Sequence, residues 1–247
     1  MLLHIILNGD SPEKIEMGKK KMGKQITEQK ENKKEAIRQD CLDDLENRIN
    51  DVHYRMQCQY AINVVELKIQ MLSEEMTEER GRKIVSCISN RIKTAESVRK
   101  KLQKKKLPVS FEKAEEKLND MVGVRVTCFF EDDIYEIVKR FTLQEDIDVI
   151  KEKDYIKRPK GNGYHSFHLI VTVPVYSEDK CELKKVEIQF RTVAMDFWAQ
   201  LDYQLCYKRE MYGEESEDIQ KKLSKYADEI ALMDSNMLKI RKQIEKM

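Results

Sequence analysis

Aromatic residues make up only 7% of the 247-residue chain, and the formal net charge is only +1. Because charged residues reach 37%, we expect a modest core and a surface formed largely by charged helices. A net charge near zero gives no overall attraction to nucleic acid or to a membrane surface, so any anion site must be a local basic patch. The length suits one large domain, or one domain with helical additions.

The sequence also lacks paired cysteines and long apolar runs. Residues 2–7 are apolar, but this run is too short for a signal peptide core or a membrane span, and no basic residue precedes it. These absences predict a cytoplasmic protein with reduced thiols and no membrane association. The six cysteines are scattered and form no CxxC pair: Cys41, Cys58, Cys87, Cys128, Cys181 and Cys206.

No internal repeat is present, and neither is a Walker A, GxGxxG or HExxH motif. The most distinctive stretch is residues 151–168, KEKDYIKRPKGNGYHSFH, which holds five lysines or arginines, two of the eight glycines and two of the four histidines. Pro159, Gly161 and Gly163 exclude a helix and predict a loop with unusual backbone angles.

After this loop the sequence alternates, which predicts a half-buried strand with Ser166 and His168 on one face. Lysine and arginine side chains can bind phosphate, and the ring of Tyr164 can stack on a base. The loop is therefore a candidate nucleotide site. Composition alone leaves a solvated basic loop equally open.

A second basic segment, Arg91–Lys106, holds eight basic residues and one acid, Glu96. Thr94 is a suitable N-cap, and in the helix that follows it Ser97 and Lys101 lie four residues apart on one face. The segment is either a second phosphate-binding patch or a solvated basic helix.

Strands alternate with helices through the centre of the chain, which predicts an α/β (α+β) core flanked by long terminal helices. A buried strand that contains Arg125 is costly unless the guanidinium is paired, so this side chain is expected to face a site or a carboxylate. Asp120 is expected where that strand begins. The predicted strands lie near residues 122–129, 147–154, 166–174 and 184–191.

The last predicted strand, in the stretch KKVEIQFRT, has Glu187, Gln189 and Arg191 on one face and apolar residues on the other. The polar face is either the wall of a site or an exposed surface with a Glu–Arg pair. The polar stretch YSEDKCEL, residues 176–183, is expected to form a hairpin or a longer connection to the preceding strand.

Helices are predicted from residue 35 to 72, from Asp132 or Asp133 to about Phe141, and after an N-cap at Thr192. A break at Thr77 and Gly81 is expected to lead into a shorter helix. The apolar stripe assigned to the first helix consists of Ile37, Cys41, Leu45, Ile49, Val52, Met56, Tyr60, Val64, Leu67 and Met71. The helix after Thr192 is expected to place Phe197 and Trp198 in the core.

The C-terminal residues follow a heptad pattern, which predicts helix-on-helix packing between subunits or against the first long helix. We therefore divide the chain into a poorly ordered tail (1–32), an α/β domain with its N-terminal helices (33–210) and an oligomerisation helix (211–247). The heptad positions are Ile219, Leu223, Tyr226, Ile230, Met233, Met237, Ile240 and Ile244.

Five motifs, in this order and over about residues 88–208, resemble the synthetase domain of the RelA/SpoT family. They are RIKTAESVRKKL, DMVGVRV, DYIKRPKGNGYHSFH, VEIQFRT and AMDFWAQLDYQLCYK. The absence of a hydrolase or regulatory region makes the chain similar to a small alarmone synthetase. The resemblance implies a nucleotidyltransferase-like core with a mixed sheet, Mg²⁺-dependent transfer of pyrophosphate from ATP to the 3′ hydroxyl of GDP or GTP, and a homotetramer.

The resemblance also implies a role for each matching residue. ATP phosphates would be bound by Arg91, Lys93, Ser97 and Lys101, with Arg125 near the transferred group. Asp120 and Glu187 would hold Mg²⁺, and Glu187 would accept the proton of the 3′ hydroxyl. Tyr164 would stack on guanine, Lys153, Lys160 and His168 would hold the acceptor phosphates with Gln189 nearby, and Asp196 would lie near the base.

Three residues depart from the family pattern. His165 stands where arginine is usual, Arg158 where a neutral residue is common, and Asp196 where asparagine is frequent. By strand parity His165 points away from Ser166 and His168, so we expect an altered outer contact and intact chemistry.

Two other functions remain open at this stage. One is a nucleotide- or RNA-binding regulator that uses the same basic cleft without turnover, and the other is a helical oligomerisation protein. The acid pair favours the enzyme, since a pure polyanion binder has no use for Asp120 and Glu187 in its cleft. Regulation by the product or by RNA is compatible with the resemblance, but no residue of the sequence points to it.

Overall fold

The computed structural model describes residues 42–177, 180–207 and 214–247. The predicted tail and the stripe positions Ile37 and Cys41 lie outside these residues. The helices are α1 (42–50), α2 (Val52–Arg80), α3 (Ala95–Lys104), α4 (Phe111–Lys117), α5 (Glu131–Thr142), α6 (Val193–Asp202), which continues as a π-helical turn (Tyr203–Tyr207), and α7 (Glu214–Ile244).

The five strands of the described chain form one mixed sheet. They are β1 (Val85–Ile92), β2 (Val122–Cys128), β3 (Asp148–Asp154), β4 (Phe167–Ser177) and β5 (Lys180–Thr192), in the order β1-β2-β5-β4-β3. Only the central pair β2–β5 is parallel. The four predicted strands and the mixed α/β class are confirmed.

The hairpin expected after Pro174 is confirmed: β4 and β5 are paired as far as Ser177 and Lys180, so most of the stretch 176–183 is strand. Its polar composition reflects exposed strand ends: Tyr176 and Leu183 both face solvent.

Strand β1 is the largest error of the sequence-based assignment, which expected a helix after Gly81. Helix α2 runs through Thr77, whose hydroxyl donates to the Ser73 carbonyl at 2.7 Å, and ends at Gly81 with φ of 63°. The chain then enters an edge strand of which only the first residue, Val85, is buried. An edge strand needs no regular apolar alternation, so β1 has no sequence signal of the usual kind.

The first predicted helix exists, but beyond residue 50 its apolar stripe is wrong except at Val64, which is partly buried against the core. Asp51 interrupts it and N-caps α2, its carboxylate accepting from the Tyr54 amide at 2.8 Å. This new start rotates the buried face. Leu45 and Ile49 are buried as predicted, whereas Val52 is 73% exposed. The stripe members Met56, Tyr60, Leu67 and Met71 are exposed as well, and the core is contacted instead by Cys58, Ala61, Ile62, Val65, Ile69 and Met76.

The apolar core lies between one face of the sheet and helices α2 and α5. Helix α5 starts at Glu131 after Phe130, with no side-chain cap, so the expected cap at Asp132 or Asp133 is wrong. The Asp133 carboxylate is fully buried and pairs with arginines instead. Arg82 donates to both of its oxygens at 2.8 Å, and Arg80 also contacts it.

The C-terminal helix α7 packs on α6 and α5. Trp198 is buried as predicted, and its indole nitrogen donates to the Leu223 carbonyl at 3.2 Å, but Phe197 is 56% exposed, so its core assignment is wrong. Most of the heptad stripe also faces solvent, including Tyr226, Met233, Met237, Ile240 and Ile244. The inward face of α7 carries the small residue Ala227.

Candidate active site

A row of polar residues crosses all five strands on the face opposite the core. Strand pairing aligns Ser89 with Arg125, Arg125 with Gln189, Gln189 with His168, and His168 with Lys153. Paired residues on neighbouring strands project from the same face of a sheet. Four predicted site residues from four strands are thus brought into one line.

Glu187 lies next to this row and is almost fully buried. Its Oε1 is 3.2 Å from His168 Nδ1, and its Oε2 accepts from Gln189 Nε2 at 2.9 Å. Burial opposes ionisation of Glu187, but the hydrogen bonds from His168 and Gln189 outweigh it and lower the pKa of Glu187. The candidate base is therefore a carboxylate held in a fixed orientation.

His168 is buried in the same cluster, and burial lowers its pKa despite the neighbouring Glu187. We assign the proton of the neutral ring to Nδ1, because Nδ1 faces a carboxylate and Nε2 lies 2.9 Å from the Tyr164 hydroxyl. His168 thus links the glycine-bearing loop to Glu187.

Asp120 lies two residues before β2, as predicted, and is shared by two lysines. Its Oδ2 accepts from Lys93 Nζ at 2.6 Å and from Lys101 Nζ at 2.5 Å. Burial opposes ionisation of Asp120, yet the bonds from Lys101 and Lys93 lower its pKa, while burial also lowers the pKa of Lys93. Two lysines predicted to bind phosphate are therefore held beside the predicted metal ligand.

The remaining residues assigned to ATP lie around this group. The Thr94 side chain caps α3 and accepts from the Ser97 amide at 3.3 Å, which confirms the predicted cap and leaves Ser97 exposed at the helix start. Arg91 is an exposed residue of β1, paired with Gly123 of β2, which is paired with Glu187. Arg91, Asp120, Arg125 and Glu187 line a single cleft.

The loop before β4 presents Tyr164 at the other side of the row. Gly163 has φ of +84°, a conformation that glycine adopts at little cost. The Lys160 ammonium lies 4.6 Å from the centre of the Tyr164 ring and 4.7 Å from that of Tyr155. Lysine and tyrosine are thus adjacent, as a phosphate-and-base site requires.

Arg191 is the functional residue that the sequence analysis named but left without a role. It is buried, and it donates to the Tyr164 hydroxyl at 2.8 Å, to Asp196 Oδ1 at 2.9 Å and to Gln189 Oε1 at 3.2 Å. The sequence signal for such a role was the spacing of two residues that puts Arg191 on the same strand face as Glu187 and Gln189.

Asp196 is already engaged on both oxygens. Besides Arg191, its Oδ1 lies 3.5 Å from Arg125 Nη1, and its Oδ2 accepts from Gln200 at 2.7 Å. The carboxylate that replaces the more usual asparagine is thus balanced by two guanidinium groups. Burial lowers the pKa of Arg125, with the Arg191 charge adding to this effect.

The other two departures lie away from the polar row. Arg158 is exposed, and its amide donates to the Asp154 carbonyl at 3.2 Å. His165 Nδ1 is 2.8 Å from the Gly163 carbonyl oxygen, and the ring faces a small cavity against α7. The prediction that His165 changes only an outer contact and leaves the chemistry intact stays a prediction.

The cleft suits a hard cation bound jointly with a phosphate ligand. Asp120 Oδ1 is buried and has no hydrogen-bond partner among the described residues. These residues contain no cluster of three or more His, Cys, Asp or Glu side chains placed to bind a metal. Mg²⁺ often takes only one or two carboxylates and completes its shell with water and substrate phosphates, so Asp120 and Glu187 fit such an ion.

Comparison with known proteins agrees with this geometry. The sequence profile described as "Region found in RelA / SpoT proteins" matches residues 90–212. The chain is 37% identical over 190 residues to GTP pyrophosphokinase YwaC of Bacillus subtilis. The alignment covers 75% of this chain and 88% of that protein. This chain belongs to the RelA/SpoT family.

Solved structures place this RelA/SpoT chain with the small alarmone synthetases. Small alarmone synthetase 2 of Bacillus subtilis is 34% identical, with a TM-score of 0.67, and covers 76% of this chain and 97% of its own. Small alarmone synthetase 1 of the same organism, in a structure bound to its product pppGpp, is 26% identical with a TM-score of 0.70. The match covers 78% of this chain and 96% of that one. Within the described parts of this family member, no helix is long and apolar enough to cross a membrane.

Proposed function

We propose that the protein is an ATP:GTP/GDP 3′-pyrophosphotransferase that makes the alarmones ppGpp and pppGpp in the stringent response. The observation that carries this proposal is the position of the two acids. Asp120 and Glu187 line one cleft, with two lysines on the side of Asp120 and a tyrosine–histidine pair on the side of Glu187.

The donor half binds ATP phosphates through Arg91, Lys93, Ser97 and Lys101. Phosphoryl-type transfer depends on charge neutralisation and in-line positioning more than on covalent chemistry. Lys93 and Lys101 already surround one carboxylate at 2.6 and 2.5 Å, so two positive charges meet where the triphosphate needs them. Arg125, in β2, adds positive charge near the transferred group.

The acceptor half binds GDP or GTP. Tyr164 stacks on guanine, while Lys153, Lys160 and His168 hold the phosphates with Gln189 nearby. The alignment of Lys153, His168 and Gln189 across three strands supports this assignment. Asp196 reads the base edge with the acceptor sites left beside its bonds from Arg191 and Gln200.

Asp120 and Glu187 would hold the proposed cofactor, Mg²⁺, which would neutralise charge on the triphosphate. In the transfer, the Glu187 carboxylate accepts the proton of the 3′ hydroxyl while the 3′ oxygen forms a bond to the β-phosphorus of ATP. The bond between that phosphorus and the α–β bridging oxygen breaks, and AMP leaves. General base catalysis of this kind typically contributes about 10²- to 10⁴-fold.

The direct test is incubation of the full chain with ATP, Mg²⁺ and GDP or GTP, with the products resolved by anion exchange. A more highly phosphorylated guanosine species, formed with an equal amount of AMP, is expected. No product while both nucleotides bind would favour the second candidate, a non-catalytic nucleotide- or RNA-binding regulator. Binding of neither nucleotide would refute the assignment of the cleft.

We also propose a homotetramer assembled through the exposed apolar residues of α2 and α7. Val52 and Met56 on α2, and Met233 and Met237 on α7, are at least half exposed, and exposed apolar patches of this kind mark association sites. Sedimentation of a Met56→Glu, Met237→Glu double variant should give a smaller species than the wild type.

We also propose a cytoplasmic location for the protein. Four cysteines of the described residues are free thiols, as is usual for proteins of that reducing compartment.

A further inference from the structure

The loop that carries Tyr164 rests directly on the C-terminal helix. Gly163 is buried although its neighbours Lys160 and Gly161 are exposed. A Cβ built on Gly163 would lie 2.5 Å from Ala227 Cβ and 3.1 Å from Ser224 Cα. The absence of a side chain at residue 163 thus permits the close approach of loop and helix.

A second contact joins α7 to the corner between β5 and α6. Thr192, which caps α6, donates from its hydroxyl to Asp234 Oδ2 at 2.6 Å. Arg191 precedes this cap and Asp196 lies in the first turn after it. Ala227 and Asp234 are seven residues apart, so they lie on the same face of α7 two turns from each other.

Mostly apolar side chains surround the space between these two contacts. His165 from the loop, Met195 and Trp198 from α6, and Ile230 and Ala231 from α7 line one small cavity. The indole of Trp198 also donates to the backbone of α7 at Leu223. One helix face therefore supports both the loop and the corner.

We propose that α7 positions the acceptor half of the active site. Ala227 sets the height of the Tyr164 loop, and Asp234 fixes the corner from which Arg191 holds the tyrosine hydroxyl. The donor lysines are fixed independently, by Asp120. The inference rests on the proposed function, and it predicts that changes on this face of α7 weaken the binding of GDP or GTP without affecting that of ATP.

The first test enlarges Ala227. Ala227→Leu places three more carbon atoms against Gly163 and should displace the loop. We expect the KM for GDP and the GDP dissociation constant measured by calorimetry to rise at least tenfold, with the KM for ATP within threefold of the wild type. Asp228→Leu, which adds the same side chain at the next, exposed position, is the matched control and should match the wild type in both constants.

The second test is a compensating pair. Gly163→Ala should weaken GDP binding, because its new Cβ meets Ala227 Cβ and because residue 163 has a positive φ. Adding Ala227→Gly removes the colliding atom and should restore part of the GDP affinity; the backbone strain and the contact with Ser224 remain. Rescue would not occur if α7 only stabilised the fold, since glycine within a helix is destabilising.

The outcomes separate the two proposals. A selective loss of GDP affinity in Ala227→Leu, with rescue of Gly163→Ala by Ala227→Gly, supports the positioning role. Equal loss of ATP and GDP affinity, or an Ala227→Leu variant that does not fold together with no rescue in the pair, overturns it. If the wild type binds both nucleotides but forms no product, the proposed function fails, and the calorimetric measurements still decide the role of α7.

Discussion

The guanidinium of Arg191 donates to the hydroxyl of Tyr164 across 2.8 Å, and its carbon lies 5.2 Å from the centre of the tyrosine ring. The same hydroxyl contacts His168 at 2.9 Å. The ring is therefore held at its polar end by two strands, although Tyr164 itself belongs to a glycine-bearing loop. A stacking surface fixed in this way costs less ordering on binding.

Two substitutions of Tyr164 should separate the contribution of its ring to GDP binding from that of its hydroxyl. Base stacking contributes about 1–3 kcal/mol, so Tyr164→Ala should raise the KM for GDP about 5- to 150-fold. Tyr164→Phe keeps the stacking ring and loses only the bonds to Arg191 and His168, which orient it, so we expect a smaller rise than in Tyr164→Ala. Steady-state kinetics at saturating ATP measures both. Tyr176→Ala, on an exposed part of β4, should have no effect; equal losses in the Phe and Ala variants would disprove stacking.

Glu187→Gln should reduce kcat by about 10²- to 10⁴-fold, because an amide cannot accept the proton of the 3′ hydroxyl. The side chain keeps its size, so calorimetry without Mg²⁺ should give nearly unchanged dissociation constants for ATP and GDP. Glu182→Gln is the control, since Glu182 lies on the same strand in an exposed position. Turnover of Glu187→Gln at the wild-type rate would remove Glu187 from the role of base.

Asp120→Asn should weaken the response to Mg²⁺. The variant removes one of two carboxylates proposed to hold the ion and the charge shared by Lys93 and Lys101. We expect product formation by the wild type to stop in excess EDTA, and a Mg²⁺ titration of the variant to require at least tenfold more metal for half-maximal activity. Calorimetric titration of ATP with and without Mg²⁺ gives a readout that does not depend on turnover. An unchanged Mg²⁺ requirement would contradict the assignment.

Breaking the buried pair of Asp133 should destabilise the whole domain. Its carboxylate neutralises Arg80 and Arg82, and removing one partner of a buried ion pair costs about 3–5 kcal/mol. Urea unfolding of Asp133→Ala, followed by circular dichroism, should show this loss. Asp146→Ala removes a partner of Lys68 from a half-exposed pair and should cost at most about 1 kcal/mol. Similar midpoints for the two variants would refute the structural role of Asp133.

Alternation and motif order predicted the centre of the molecule well. Strands β2, β4 and β5 carry regular apolar faces because they lie inside the sheet, and the same regularity put Glu187 and Gln189 on one polar face. The cap at Thr94 was visible because its chemistry is local. Features that depend on neighbours in sequence were therefore predictable.

Features set by distant contacts were not. Edge strand β1 has little to bury, so its sequence lacks alternation. The buried face of α2 changes at Asp51, where a single capping residue restarts the helix. The heptad pattern of α7 marked its exposed face, while the contact of Ala227 with Gly163 joins residues 64 positions apart through two of the smallest side chains. Small residues carry no hydrophobic signal, so this contact required the structure.

Asp234 should make stability depend on pH in a direction opposite to that of most acids. Burial raises the pKa of Asp234, although the Thr192 hydroxyl and His165 lower it in part. A raised folded-state pKa means that the protonated form is favoured, so this contribution to stability is present below the unfolded pKa of about 3.9 and is lost as pH rises through the folded pKa.

Asp234→Asn removes this titration and can still accept the bond from Thr192 through its amide oxygen. We therefore expect the variant to be at least as stable as the wild type at pH 7, and to lose that advantage towards pH 4. Urea midpoints for the two proteins at several values between pH 4 and pH 7 measure the difference. Burial also raises the pKa of the neighbouring Glu131, so Glu131→Gln serves as a comparison, and the two substitutions should change the pH dependence in the same direction. A variant less stable than the wild type at pH 7, with the gap closing at pH 4, would mean that the charged form of Asp234 is the favoured one.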